Sequence, residues 1–421
     1  MRFLKTVCTT LALGLLATSL PAQTTALKAS RMLDVETGKI ISPALVVVEK
    51  NRIQSVGGNA PAGAKVIDLG DVTLLPGFMD MHTHLSLQIS ANMQLKRVTE
   101  SVADNAIQAT LYARKTLLAG FTTVRNLGAG NFVDISLANA SRKGLIASPR
   151  IIPSAHALSI TGGHGDAGGF APGVVKQTGI ESGVADGVAE VVKAVRYQIK
   201  HGAKVIKISA TAGVLSFEES VGAQQYTFEE IKAIVDEAAR HGVKVAAHAH
   251  GTEGIIAAVK AGVASIEHGS MLNDEAIRLM KEKGTYYIPT TYLVGVIDLD
   301  ILPPIIRKKA EYVLPLAVES TKRAIREGVK VAFGTDAGVF PHGDNAKEFA
   351  VLVERGMTPL AAIQSATLHA ADLLGVKDRG SIKKGLLADI IAVPGNPLKN
   401  IKTVEKVSFV MKDGRVYKLN K

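Results

Sequence analysis

Pro76-Gly-Phe-Met-Asp-Met-His82-Thr-His84 is an apolar run that ends in two histidines one residue apart. Alternate residues of a strand leave the same face, so both imidazoles project together from a strand end. Two neutral imidazoles converging in this way form half of a metal site, because their nitrogens bind zinc, nickel, iron and copper alike. A His-x-His pair also occurs by chance on polar edges. The reading therefore turns on whether further ligands stand at other strand ends.

Downstream of this stretch one phrase recurs, in which a helical segment closes on glycine and a short β-branched run follows. It appears in Ala119-Gly-Phe-Thr-Thr-Val, His201-Gly-Ala-Lys-Val-Ile, His241-Gly-Val-Lys-Val-Ala, Ala261-Gly-Val-Ala-Ser-Ile, Lys283-Gly-Thr-Tyr-Tyr-Ile and Glu327-Gly-Val-Lys-Val-Ala. Glycine after the last helical turn supplies a left-handed cap, and the apolar strand behind it is the junction of a parallel sheet. Helix starts agree: Thr227 with Glu230 forms a capping box, and Thr358-Pro359 puts proline at the first helical position. Eight strands result, ending near His84, Leu127, Ser154, Ser209, His248, His268, Pro289 and Asp336. The predicted fold class is α/β, a (β/α)8 TIM barrel, with a doubly wound open sheet as the alternative; a barrel gathers its reacting groups at the carboxyl ends of the strands.

Both ends of the chain read differently from this middle. Short strand-like runs separated by Gly, Asn and Pro turns fill residues 26–75, and residues 376–421 repeat the style, with Lys412-Asp-Gly-Arg415 as a hairpin turn. The expectation is one small β-sandwich domain built from both termini, with the barrel of residues 76–375 inserted between its halves. Arg2 and Lys5 followed by an apolar run to Leu20 and then Pro21-Ala22-Gln23 read as a secretory signal peptide over residues 1–22, too short in its apolar part for a bilayer span. The single cysteine, Cys8, falls in that leader, so the exported protein carries no disulfide.

At 421 residues and 47% hydrophobic content the chain can bury a large core. Its net charge of +11 is scattered, and 5% aromatic content with no tryptophan offers little for base stacking, so nucleic acid is not an expected partner. No membrane association is expected after the leader is removed. A basic balance favours an anionic small substrate.

On the fourth strand, Lys204-Val-Ile-Lys207-Ile-Ser209, alternation turns Ile206 and Ile208 toward the helices and Lys207 into the barrel. A buried ammonium must lose its proton or find anions. A deprotonated lysine can add carbon dioxide and become a carbamate able to bridge two metals; a lysine salt-bridged inside the barrel is the plainer possibility. The fifth and sixth strands finish on His248-Ala-His250 and on His268, and the eighth on Asp336. Strands one, four, five, six and eight thus bring His82, His84, Lys207, His248, His268 and Asp336 to one rim, a two-metal constellation.

The order Pro-Gly-x-x-Asp-x-His-x-His, Lys, His, His, Gly-Thr-Asp resembles the amidohydrolase superfamily across essentially the whole mature chain. Thr161-Gly-Gly-His-Gly-Asp166, Ile266-Glu-His-Gly269, Gly334-Thr-Asp-Ala-Gly338 and Gly356-Met-Thr-Pro359 are similar to the branch of Xaa-Pro dipeptidases, related metal carboxypeptidases and ochratoxinase-like amidases. The resemblance implies that His82, His84 and Asp336 hold the more buried metal, that His248 and His268 hold the other, and that N6-carboxylated Lys207 bridges them. Zinc is the first choice of metal, although the nitrogen and oxygen ligands also suit manganese, cobalt or nickel. Asp336 would carry a proton from the attacking water to the leaving amine.

His164, in the glycine-rich loop after the third strand, and His250 are expected to donate hydrogen bonds to a substrate carbonyl or carboxylate, with Tyr226 assisting. His156 and His342 lie nearby without an assigned role. The activity expected is hydrolysis of the amide of an N-acyl or N-aminoacyl amino acid with a free carboxylate, by a homo-oligomer as in relatives of this branch. Cyclic-amide hydrolysis of the imidazolonepropionase or hydantoinase kind is the enzymatic rival. A metal-free binding or structural relative is the rival of another class, and the complete ligand set speaks against it. The leader predicts a periplasmic or secreted protein whose mature form begins between about Ala22 and Lys28; N-terminal sequencing of native protein that still begins at Met1 would overturn this.

Overall fold

The computed structural model describes residues 24–420, except 167, 172 and 176–178. The expected leader, residues 1–22 with Cys8, lies outside the described residues. Eight parallel strands close into the expected barrel. One arc runs Arg150–Pro153, Phe121–Asn126, Phe78–Thr83, and the other runs Val205–Ser209, Lys244–Ala249, Ser265–His268, Tyr286–Ile288. Two seams join the arcs. Lys204 N–H donates to Pro153 O at 2.8 Å and Leu158 bridges Ile208 in parallel, linking the third strand to the fourth. The eighth strand, residues 330–337, is held by single bridges, Val331 to Tyr287 on one side and Ala337 to Thr83 on the other.

Local sequence explains the alternation. Gly202, Gly262 and Gly284 stop their helices in the left-handed conformation at φ 115°, 100° and 68°, which a Cβ would strain. Thr227 and Glu230 form the reciprocal capping box at the start of Phe228–Arg240. The helices Gly187–His201 and Phe228–Arg240 bury Val191, Ala194, Val195, Ile231 and Ile234 against Ile206, Ile208, Val245 and Ala247 in one continuous cluster. Alternation then turns the intervening residues inward, where Leu127, Val205 and Ala246 pack as an apolar layer inside the barrel.

Both chain ends build the second body. A six-stranded sheet pairs Ile390–Pro394 antiparallel with Val72–Pro76, so the strand leading into the first barrel strand is held by the C-terminal part of the chain. A four-stranded sheet of Thr25–Ala29, Ala44–Glu49, Arg52–Val56 and Lys65–Asp68 faces it across Leu27, Val46, Ile53, Leu74, Ile390 and Phe409. The turn at Lys412–Arg415 is a tight hairpin, with Asp413 at φ 50° and Gly414 at φ 72°. Among the described residues no helix is long and apolar enough to cross a membrane.

Candidate metal centre

A cavity of about 660 Å³ opens at the carboxyl ends of the barrel strands, and His82, His84, Lys207, His248, His268 and Asp336 all line it. Ring centroids of His82 and His84 lie 5.3 Å apart, those of His82 and His268 5.0 Å, and those of His248 and His268 4.8 Å. Ligand atoms of His82, His268 and Asp336 fall within 4.8 Å of one another. Asp336 Oδ1 stands 3.4 Å from His82 Nε2 and 3.2 Å from His84 Nε2.

The protons of this cluster point away from it. His82 Nδ1 is 2.8 Å from Glu267 Oε2, and a carboxylate accepts, so the ring proton sits on Nδ1 and Nε2 carries a lone pair. His84 Nδ1 faces Gly128 O at 3.4 Å, another acceptor. His268 Nδ1 meets Thr290 Oγ1 at 2.8 Å. Asp336 Oδ1 and His248 Nε2 are buried without a hydrogen-bond partner among the described residues. Lone pairs of imidazole and carboxylate directed at one another repel unless a cation lies between them, so the donor set fits divalent metal.

Electrostatics agree. Burial lowers the pKa of His82 to about 4 and takes those of His248 and His268 well below 6.5, so these rings are neutral at neutral pH, the form that can ligate a metal. Burial acts to raise Asp336, but positive charge in its surroundings, from the His82 and His84 rings when protonated and from the Lys207 ammonium, holds it below the ordinary carboxylate value. Burial brings the Lys207 ammonium down to about 8, which leaves an appreciable fraction as free amine near neutrality. A free amine is the form that adds carbon dioxide.

Beneath the histidines runs a buried ionic chain. Arg125, 2% exposed, donates to Glu267 Oε1 at 2.8 Å, to Ser265 Oγ at 3.0 Å and to Met81 O at 2.6 Å. Burial acts to raise Glu267, but Arg125 and the His82 ring outweigh it and hold the carboxyl at about 2. Neither member of this pair stands out in the sequence, although Glu267 lies within the Ile266-Glu-His-Gly269 phrase. Strand alternation was the available signal: Ile266 belongs to the helix-facing cluster, so Glu267 faces inward.

The remaining expected residues divide. His164 and His250 line the cavity; His164 Nδ1 lies 2.7 Å from Ser216 Oγ and His250 Nδ1 lies 2.8 Å from Ser270 Oγ. Burial lowers both to about 3, so neither is a cation at neutral pH. Tyr226 does not contact the cavity as expected. It is wholly buried in the core behind the fourth and fifth strands, with its hydroxyl donating to Ala185 O at 3.3 Å. His156 accepts Asn131 N–H at 3.0 Å and His342 Nε2 donates to Leu87 O at 2.9 Å, so each pins a loop of the cavity wall.

A barrel that collects imidazoles and a carboxylate at the carboxyl ends of its strands is built as a hydrolase. The chain belongs to the amidohydrolase family, which residues 73–417 match, and it is a hydrolase acting on amide bonds. It is 35% identical to ochratoxinase from Aspergillus niger over 408 residues, covering 90% of this chain and 84% of that protein. The structure of an Xaa-Pro dipeptidase with methionine bound in its active site superposes with a TM-score of 0.91 at 42% identity, covering 94% of this chain and 100% of that one. A prolidase complexed with N-methylphosphonate-L-proline gives 0.86 at 33% identity, with 94% and 100% covered.

Replacing Glu267 with glutamine should leave Arg125 buried without its anion and turn an amide toward His82. A loss of about 3–5 kcal/mol in stability is expected, with metal affinity lower by about 10–100-fold. Because folding depresses Glu267 from 4.5 to about 2, its contribution to stability is complete above pH 4.5 and is lost as pH falls through 2. Acid unfolding should therefore be flatter in Glu267→Gln across that interval; a variant as stable as the parent with unchanged acid titration would refute the role given to this pair.

Proposed function

We propose that this chain is a binuclear metal-dependent amidohydrolase that cleaves the amide of N-acyl or N-aminoacyl amino acids bearing a free carboxylate. The observation that carries this reading is the convergence, on one cavity, of six side chains from five strands, with the lone pairs of His82, His84 and Asp336 turned inward. His82, His84 and Asp336 would hold one cation, His248 and His268 the other, with carboxylated Lys207 between them. When bound, two divalent cations supply Lewis acidity, lowering the pKa of a shared water and polarising the scissile carbonyl.

The protein's own groups do the rest. Asp336, held ionised beside His82 and His84, accepts a proton from the attacking water and delivers it to the leaving nitrogen as the carbon–nitrogen bond breaks. Leu87, Ile89, Leu293, Val294, Ile297 and Leu314 form an apolar wall that excludes water and suits bulky acyl or side-chain groups. Lys96 and Arg97 add positive charge to the same wall. Lys96 is engaged by Glu100 at 3.7 Å, whereas Arg97 makes no ion pair among the described residues, which supports an anionic substrate.

Purified active protein should contain close to two metals per chain and lose activity to chelators. Lys207→Met should abolish turnover and lower metal content, and short carboxylic acids should partly restore Lys207→Ala by standing in for the carbamate. Elemental analysis without bound metal, with activity indifferent to chelation, would defeat the metal reading.

Substrate class is tested by pairing each N-acyl amino acid, dipeptide or ochratoxin-type amide with its carboxyl-blocked analogue. The free acids should be turned over roughly a hundredfold more efficiently, the scale of a lost charged hydrogen-bond partner. Equal rates would remove the carboxylate requirement, and turnover confined to cyclic amides would favour the rival enzyme.

A further inference from the structure

His164 sits in a slot. Its ring stacks on His248 with centroids 4.1 Å apart. A Cβ on Gly213 would fall 2.2 Å from the ring atoms Cε1 and Nδ1, so glycine alone leaves room for the imidazole there. At the ring edge Nδ1 lies 2.7 Å from Ser216 Oγ, and that oxygen lies 2.7 Å from Glu218 Oε1.

The direction of these bonds is set by chemistry. A carboxylate only accepts, so the Ser216 hydroxyl donates to Glu218; its other acceptor, Gly213 O, is farther away at 3.4 Å. With its own hydrogen committed, Ser216 Oγ accepts from His164, and the ring proton is placed on Nδ1. Glu218 Oε1 also accepts Gly213 N–H at 3.0 Å.

The loop carrying these residues is fixed in turn. The buried Lys309 ammonium, on the helix Pro304–Arg326, donates to Gly213 O at 3.0 Å, Ser216 O at 2.6 Å and Glu218 O at 2.8 Å. Three donors meet three carbonyls, which leaves the loop little freedom to rotate Ser216 away from the ring.

We propose that Ser216 and Glu218 are positioning residues acting through His164: they hold its ring against His248 and keep its proton on Nδ1, so that Nε2 is left as a hydrogen-bond acceptor for an N–H group of the substrate. The kinetic consequence rests on the amide-hydrolase reading; the ring arrangement stands without it. A substrate gains from this contact if it offers the α-amine of a dipeptide or the amide hydrogen of an N-acyl amino acid. An N-acylproline offers neither.

The test uses the full metal-loaded protein. Ser216→Ala should lower kcat/KM on a dipeptide about tenfold, the scale of one hydrogen bond, with thermal midpoint and metal content unchanged. Ser216→Thr, which keeps the hydroxyl, should restore most of the loss. In a His164→Ala background Ser216→Ala should cost less than about threefold, since a residue acting through His164 has nothing left to position. Nitrogen-15 shifts of the imidazoles, assigned by difference with His164→Ala, should place the His164 proton on Nδ1 in the parent and redistribute it in Ser216→Ala. Equal losses in both backgrounds, unchanged activity of Ser216→Ala, or a parent ring protonated on Nε2 would each overturn the proposal. Failure of the parent to hydrolyse any amide would instead remove the functional reading, and the ring-proton assignment would still decide the arrangement.

Discussion

The Arg125–Glu267 ion pair beneath the histidines is the interaction on which the site depends. Both groups are removed from water, and such a pair recovers its desolvation cost only when every remaining hydrogen-bonding position is filled. Here Arg125 reaches Met81 O, Ser265 Oγ and Glu267, while Glu267 also receives Ser265 Oγ–H and the His82 ring. The first, second and sixth strands are thereby tied at one depth inside the barrel. His82 gains a fixed plane and a fixed tautomer from the same network, which is how an outer partner raises the basicity of a ligating imidazole.

Above that floor the backbone itself is bent to aim the converging side chains. His268 and Asp336 take φ values of 68° and 62°, and Thr290, which holds His268 Nδ1, takes 48°. Left-handed conformations in residues with a Cβ cost about 1–3 kcal/mol each and persist only where neighbours enforce them. The enforcement is visible. Tyr287 hydroxyl donates to His268 O at 2.9 Å, and Asp336 N–H donates to His82 O at 2.7 Å. Simple alternation would leave His268 on the helix-facing side with Ile266; the left-handed turn brings it into the cavity.

These two features divide what the sequence could convey from what it could not. The barrel, the two-ended sheet and the strand ends that carry the six converging residues follow from period-2 alternation and glycine caps, which are local signals; the left-handed turns that aim His268 and Asp336 do not. Lys207 is the clearest case, because Ile206 and Ile208 do face the helices and so send it inward. Tyr226 failed for the opposite reason. Its neighbours in sequence lie beside the site, yet the strand-to-helix loop turns its ring under Ala185, a contact 41 residues away that no local pattern announces. Arg125 and Ser216 were equally invisible, since each acquires its meaning from partners on other strands or loops.

Long-range pins of this kind also explain how one floor serves a variable wall. His342 holds the carbonyl of Leu87 in the loop after the first strand, His156 holds Asn131 after the second, and Lys309 gathers the loop after the fourth. Glu348, which burial raises to about 8 against the pull of its bonds from the Thr291 and Tyr292 amides, holds the loop after the seventh. Each loop is anchored by one polar side chain from a neighbouring segment, half-buried in the case of His156 and buried in the other three, independent of the Arg125–Glu267 floor. Substitutions at the loop tips can therefore reshape the cavity wall without disturbing the converging His, Lys and Asp side chains, which is the arrangement expected of a barrel that keeps its floor and varies its loops.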